Sequence, residues 1–218
     1  MFLNQQNRNY LLATLITIIS FSCKFSNEKN RIIEVDSKLS LEQIVRQKKA
    51  FIIKIDSLFN MHDKRFLKVY VKVLNPKRYL FINDLKKIPE NYLATYNLYY
   101  NNSGKLVLFK EVQNSESGDF SNVYTYYFDE NGKTSSFKIT SSFFGSDCEL
   151  EESTITEETV KYYNSDFKQI KTDYKIENEN GKSIDTTRCI FNYRFNYNVY
   201  SSINSIPSLK EILNAYSK

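Results

Sequence analysis

Apolar and polar positions change their period along the chain. Leu41, Ile44, Val45, Phe51, Ile52, Ile55, Leu58 and Phe59 recur at helical spacing, with Lys48 as the one break in the apolar face. Residues three and four apart share a side of a helix, so this pattern predicts an amphipathic helix over about 41–60. Its start is marked: Ser40 and Gln43 have the spacing of a capping box, and Leu39 and Ile44 that of a hydrophobic staple. Over 66–82 the period is less clear, but Val69, Val71 and Val73 alternate with Lys68, Tyr70 and Lys72, which favours a strand, and Asn75-Pro76 marks a turn after it.

From about Leu93 the period is two. Tyr99-Tyr100-Asn101-Asn102-Ser103-Gly104-Lys105 is followed by Tyr126-Tyr127-Phe128-Asp129-Glu130-Asn131-Gly132-Lys133. Tyr162-Tyr163-Asn164-Ser165-Asp166-Phe167-Lys168 repeats the motif without its Gly, and Glu179-Asn180-Gly181-Lys182 repeats its turn. Asn-Gly between alternating residues predicts a tight hairpin of type I′, which needs positive φ at both central residues. Phe191, Tyr193, Phe195, Tyr197 and Val199 alternate with Asn192, Arg194, Asn196 and Asn198, predicting a late strand with one aromatic and one polar face. A short helix closes the chain, with Ser208 and Glu211 as a second capping box and Leu209, Ile212, Leu213 and Tyr216 as its apolar stripe. The turn units resemble those of bacterial YD-type and MORN-like repeat proteins, but their spacing is irregular where true arrays keep a fixed period. The likeness is one of hairpin chemistry.

The first residues follow a different logic. Met1–Asn9 is polar with one base, Arg8, and Tyr10–Phe21 is mostly apolar and uncharged. Twelve helical residues span roughly 18 Å, short of a bilayer core of about 30 Å. A weakly positive start, a short apolar core and small residues before a cut make a secretory signal. Ile19-Ser20-Phe21-Ser22-Cys23 resembles the lipobox of bacterial lipoproteins, in a form like that of Bacteroidota, with Ser20 and Phe21 off the usual pattern. The resemblance implies lipidation of Cys23 as the new N-terminus. Ser20-x-Ser22 also fits ordinary signal cleavage, which would release a soluble secreted or periplasmic protein with a free Cys23. Residues 24–38 then form a tether, which at fifteen residues reaches roughly 21 Å. The expected layout is a signal peptide over 1–22, a lipidated N-terminus and tether over 23–39, and a single domain over 40–218. Acids are sparse just after Cys23, where Lys24 follows and Glu28 comes later. That points to an outer-membrane anchor facing the periplasm.

Composition adjusts this picture. The chain has 16 Phe and 17 Tyr but no Trp, and five Gly and three Pro, which suits an ordered core rather than a low-complexity body. Missing Trp weakens a sugar-stacking reading. Arg46–Lys87 holds twelve bases against Asp56, Asp63 and Asp84, a surface that would suit anionic lipid or a solvated face. An exported chain has no nucleic acid as partner. If Cys23 carries lipid, Cys148 and Cys189 remain as an even pair for a disulfide in an oxidising compartment. Closing a loop of about 40 residues would contribute roughly 4 kcal/mol.

Candidate chemistry is thin. The single histidine, His62, lies in Asn60-Met61-His62-Asp63-Lys64, read as a surface loop. No HExxH, GxSxG, CxxC or phosphate-cradling glycine loop occurs. Asp147, Glu149, Glu151, Glu152, Glu157 and Glu158 form an acidic run, read as a solvated hairpin edge that discourages strand-on-strand pairing. Glu149, Glu151 and Glu152 are its weak candidates for a hard cation. No catalytic residue, metal or cofactor is predicted. The sequence therefore predicts an α+β, mainly β fold: an N-terminal helix packed on an antiparallel meander of hairpins, six to eight strands, with a short C-terminal helix. The expected function is a non-catalytic binding or structural module, anchored by lipid to the envelope membrane and meeting an unknown envelope protein. The alternative is an immunity or inhibitor lipoprotein that occludes a toxin or hydrolase through its acidic edge.

Overall fold

A computed structural model describes residues 39–61, 63, 65–74, 78–115, 119–144, 148, 153–189 and 197–216. The signal, lipobox and tether, His62, the Asn75-Pro76 turn, Asp147, Glu149, Glu151, Glu152 and the stretch 190–196 lie outside the described residues. Contacts divide the chain into two compact units, Met1–Ile44 and Val45–Lys218. Of the first unit, the described part is residues 39–44, which hold the cap and opening turn of helix α1 (Leu41–Asn60).

The cap is the predicted one. Gln43 N–H donates to Ser40 Oγ at 3.2 Å, and Ser40 N–H donates to Gln43 Oε1 at 2.8 Å. Two otherwise unpaired donors of the helix start are thus satisfied reciprocally.

The second unit is an eight-stranded antiparallel sheet. Its strands are β1 (Leu67–Val73), β2 (Arg78–Ile82), β3 (Tyr92–Tyr100), β4 (Leu106–Asn114), β5 (Phe120–Phe128), β6 (Thr134–Phe144), β7 (Thr154–Tyr163) and β8 (Gln169–Asn178). They lie in the order β2-β1-β3-β4-β5-β6-β7-β8, a meander except for β2, which folds back to the outside of β1. The expected fold class is therefore the observed one.

Both faces of the sheet are covered. On one, Val45, Ile52, Ile55 and Phe59 of α1 pack on Tyr99, Val107, Leu108, Tyr127, Val160 and Tyr162. Full burial of such a side chain is worth about 1.5–3 kcal/mol, so four of them fix this helix on the sheet. On the other face, residues from 197 onward and helix α2 (Pro207–Tyr216) cover Tyr96, Leu98, Phe109, Tyr124, Tyr126, Phe128 and Phe137. A smaller cluster of Phe143, Cys148, Ile155 and Ile176 packs against Phe120, Ile184 and Cys189.

The hairpin turns differ from the expected type. Positive φ occurs once per turn, at Gly104 (73°), Gly132 (73°), Phe167 (60°) and Gly181 (72°). A type I′ turn would require it also at the preceding residue. Each turn is instead a type I turn closed by one left-handed residue. The carbonyl of Asn101, Asp129, Asn164 or Asn178 accepts from the N–H three residues on, and its own N–H donates to the carbonyl of the Lys four residues on. The side-chain oxygen of the same residue accepts from the N–H groups two and four residues on, at 2.8–3.1 Å. A short acceptor at the first position thus pins both sides of the loop.

Two further expectations change. Tyr197–Tyr200 carries no strand, and Phe191, Tyr193 and Phe195 lie outside the described residues. Tyr197 nevertheless faces inward, stacked on Tyr124 with ring centroids 3.8 Å apart. The closing helix starts at Pro207, not after Ser208. Pro fits the first helical position because its missing N–H would have no partner there. Leu209 and Ile212 are fully buried, whereas Leu213 and Tyr216 of the same stripe are partly exposed.

Candidate functional site

The turn-proximal end of the α1-covered face carries a cleft of about 1040 Å³. One wall is the flank of α1 formed by Phe51, Lys54, Ile55 and Leu58; the other is Phe66, Tyr99 and Val107. The turns Asn101–Ser103 and Asp129–Glu130 form its rim.

Local irregularity in the strands builds this cleft. Beside each of the first three turns the register slips by one residue, at Tyr99/Tyr100, Tyr127/Phe128 and Tyr162/Tyr163. Tyr99 pairs with Leu108 and Tyr100 with Leu106, which leaves Val107 as an extra residue. Ser135 and Ile170 are the corresponding extras. A β-bulge re-aims a side chain and bends its strand. Val107 and Ser135 line the cleft, and Ile170 packs in the cluster under α1.

The rim is stitched together. Lys105 Nζ donates to the carbonyl of Glu130 in the next turn at 3.1 Å, and Lys133 Nζ donates to that of Ser165 in the third at 3.0 Å. Tyr99 holds the floor, edge-on to both Phe59 and Phe66 at 6.3 Å between centroids. Burial, and then the charge of Asp63, push its phenol pKa up, so the hydroxyl stays protonated. Asp63 is itself held below the usual carboxylate range by bonds from the Arg65 side chain and backbone.

Beside the cleft, under α1, lies a polar cluster. Asp56 accepts from Tyr127 Oη at 2.7 Å and from Lys138 Nζ at 2.6 Å. Lys110 places its ammonium 4.1 Å from the centroid of the Phe59 ring. Burial lowers its pKa, with Asp56 opposing the shift and Lys138 adding to it. On the far flank, a smaller cleft of about 470 Å³ is lined by Lys49, Asp56, Lys138, Glu158 and Asp173. There Asp173 takes Lys49 at 2.7 Å and Tyr162 Oη at 2.9 Å. The helix thus offers an acid to a sheet lysine and a lysine to a sheet acid. Half-buried charges this close need such partners, since desolvation of an unpaired one is costly.

The residues singled out from sequence divide as follows. Cys148 and Cys189 stand at disulfide-bonding distance, with Cys148 buried in the smaller cluster. Cys23 and the cation candidates Glu149, Glu151 and Glu152 lie outside the described residues. The end of the acidic run is not at a sheet edge: Glu157 and Glu158 belong to β7, between β6 and β8, and Glu157 is buried. Among the described residues no group of three or more His, Cys, Asp or Glu could hold a metal ion, and no helix is long and apolar enough to cross a membrane. Tyr126 and Phe137 are fully buried core, while Phe51, Phe66 and Tyr99 line the cleft.

Sequence reasoning did not bring out Asp56, Tyr127 and Lys138 as a group, nor the cleft. The aromatic pair before each of the first three turns was the one available signal, since the bulge falls there. No family model matches the chain, and no curated protein or solved structure is significantly similar to it.

Proposed function

We propose that this protein is a membrane-anchored, non-catalytic binding module, held by lipid on Cys23, which takes an elongated apolar ligand in the cleft beside α1. The cleft carries the reading. Its volume of about 1040 Å³ is at the top of the range for small-molecule sites, which are concave, mostly apolar and preformed. Its aromatic and aliphatic walls from Phe51 to Val107 supply the apolar surface, and a bonded rim of turns supplies the preformed shape. Along α1 the lining runs from Gln47 to Leu58, a rise of roughly 17 Å, so a long apolar chain suits it better than a compact ring.

Two measurements test the two halves. Metabolic labelling with a fatty-acid analogue is expected to mark the wild type and not Cys23→Ala; equal labelling, or none in either, removes the anchor. An environment-sensitive apolar dye is expected to bind the wild type, and at least tenfold more weakly when Leu58→Arg puts a charge into the half-buried wall. Unchanged dye binding in that variant, with its fold intact by circular dichroism, removes the cleft as the ligand site.

A further inference from the structure

The outer edge of the sheet at β2 has an unusual finish. Phe81 and Tyr216 are large aromatics left 49% and 43% exposed. Both pack at a tilt against the buried Tyr70, with ring centroids at 5.4 and 5.0 Å. Phe81 N–H donates to Tyr216 Oη at 2.9 Å, and the Tyr216 hydroxyl donates to the Tyr79 carbonyl at 2.9 Å. One phenol therefore satisfies one outward donor and one outward acceptor of a strand edge, groups that would otherwise invite another strand.

The same bonds suit this edge to a low-dielectric neighbour, where an unpaired peptide group costs several kcal/mol. Charge completes the picture. Arg78 stands exposed at one end of β2, and Lys86 and Lys87 stand exposed just past the other. Of the nearby acids, Glu211 accepts from Tyr79 Oη at 2.8 Å and stands 3.9 Å from Lys72 Nζ, which offsets its charge, while Asp84 accepts from the Lys86 N–H and keeps its own. Glu90 is exposed a few residues on.

We propose that the β2 edge is a membrane-contact surface that rests on anionic phospholipid headgroups, with Phe81 and Tyr216 at the interface and Arg78, Lys86 and Lys87 on the phosphates. Tyr216, with one apolar and one polar end, suits the headgroup level, and the exposed Phe81 beside it adds apolar surface. Each basic residue near an anionic surface contributes about a fivefold gain in partitioning, so the excess of Arg78, Lys86 and Lys87 over Asp84 and Glu90 contributes about fivefold. A protein partner adding a strand here would first have to displace Tyr216 from two bonds, which is why the lipid surface is the better fit.

The chain lacks Trp, so Phe81→Trp in the full chain gives a single local reporter. Vesicles of phosphatidylcholine with and without phosphatidylglycerol, carrying brominated acyl chains, are the probes. Emission from the indole at position 81 is expected to shift blue and be quenched on the anionic vesicles, with quenching lost when Arg78, Lys86 and Lys87 are all changed to Gln. A reporter at the exposed Phe144 (Phe144→Trp) is expected to stay unquenched, so the readout separates contact at this edge from anchoring elsewhere. The proposal is overturned by no quenching at position 81, by equal quenching on neutral vesicles, by quenching that survives the triple change, or by equal quenching at position 144. Hydrogen exchange on the unsubstituted chain gives the same answer without a new ring: Arg78–Ile82 amides should slow on anionic vesicles only, and unchanged rates overturn the proposal.

Discussion

Phe167 occupies, in the third turn, the place that Gly holds in the other three, and its substitution separates two opposing effects. Its φ of 60° lies in the left-handed region, which costs an L side chain about 1–2 kcal/mol. Its ring is stacked on Tyr163, with centroids 4.6 Å apart and planes 18° apart. Such a pair is worth about 0.5–1.5 kcal/mol, and partial burial of the ring adds about 1 kcal/mol, somewhat below the range for a fully buried Phe. Phe167→Ala keeps the strain and loses the ring, a destabilisation of about 2 kcal/mol. Phe167→Gly loses the ring but relieves the strain, against a glycine entropy cost of about 0.5–1 kcal/mol. The net loss is about 1 kcal/mol. The Gly variant should therefore be the more stable of the two by about 0.5–1 kcal/mol, the reverse of their usual order. Urea unfolding with the disulfide oxidised, followed by circular dichroism and compared at a common slope, measures this directly. Gly104→Ala is the companion: nothing lies within 4 Å of the added Cβ, so its loss of about 1–2 kcal/mol reports the backbone effect alone. If Phe167→Ala equals or exceeds Phe167→Gly in stability, the account of this turn is refuted.

The remaining predictions concern the contacts that hold α1 and the sheet together. Tyr127→Phe removes one of the two donors to Asp56 and should cost about 1–2 kcal/mol; Asp56→Ala strands both Tyr127 and Lys138 and should cost about 3 kcal/mol. Thermal melts that rank the two the other way would contradict the cluster. Burial works to raise the pKa of Asp173, but bonds from Lys49 and Tyr162 outweigh it and leave the carboxyl below its ordinary value. A depressed folded-state pKa contributes stability that is present above the unfolded value of about 3.9 and lost as pH falls through the folded value. Asp173→Asn should flatten the fall in urea midpoint between neutral pH and pH 3; an unchanged slope argues against it. Counting thiols on the denatured, unreduced protein should find neither Cys148 nor Cys189 reactive, and reduction should lower stability by roughly 4 kcal/mol. Two reactive thiols besides Cys23 would exclude the bridge.

Local features of this fold were legible and long-range ones were not. Ser40 and Gln43 cap α1 because both members of the bond sit three residues apart in the chain. The hairpins were legible for the same reason, yet their type was not. Asn131-Gly132 is compatible with either turn, and the deciding group is Asp129, whose carboxylate bonds the N–H groups of Asn131 and Lys133. Alternation over 189–199 suggested a strand. Of that stretch residues 190–196 lie outside the described residues, and Tyr197 packs against the core without belonging to a strand. The Asp56–Lys138 pair joins residues 82 positions apart, and no local pattern places them together. The cleft follows from register slips at Tyr99/Tyr100 and Tyr127/Phe128, which depend on pairing between strands rather than on either strand alone.

The way α1 lies on the sheet sets a limit on how far this architecture can grow. Lys49 reaches Asp173 on β8, and Phe59 reaches Tyr99 on β3. Six strands at about 4.8 Å spacing span roughly 24 Å, and the ten residues between those contacts rise about 15 Å, with side-chain reach covering the rest. The first three of these hairpins repeat the same turn, the same bulge and the same lysine, a unit that could in principle be copied. A further copy beyond β8 would have only the short stretch of α1 before Lys49 to cover its apolar face. The helix is in effect the ruler of the array: each pair of strands added widens the sheet by about as much as two turns of helix rise.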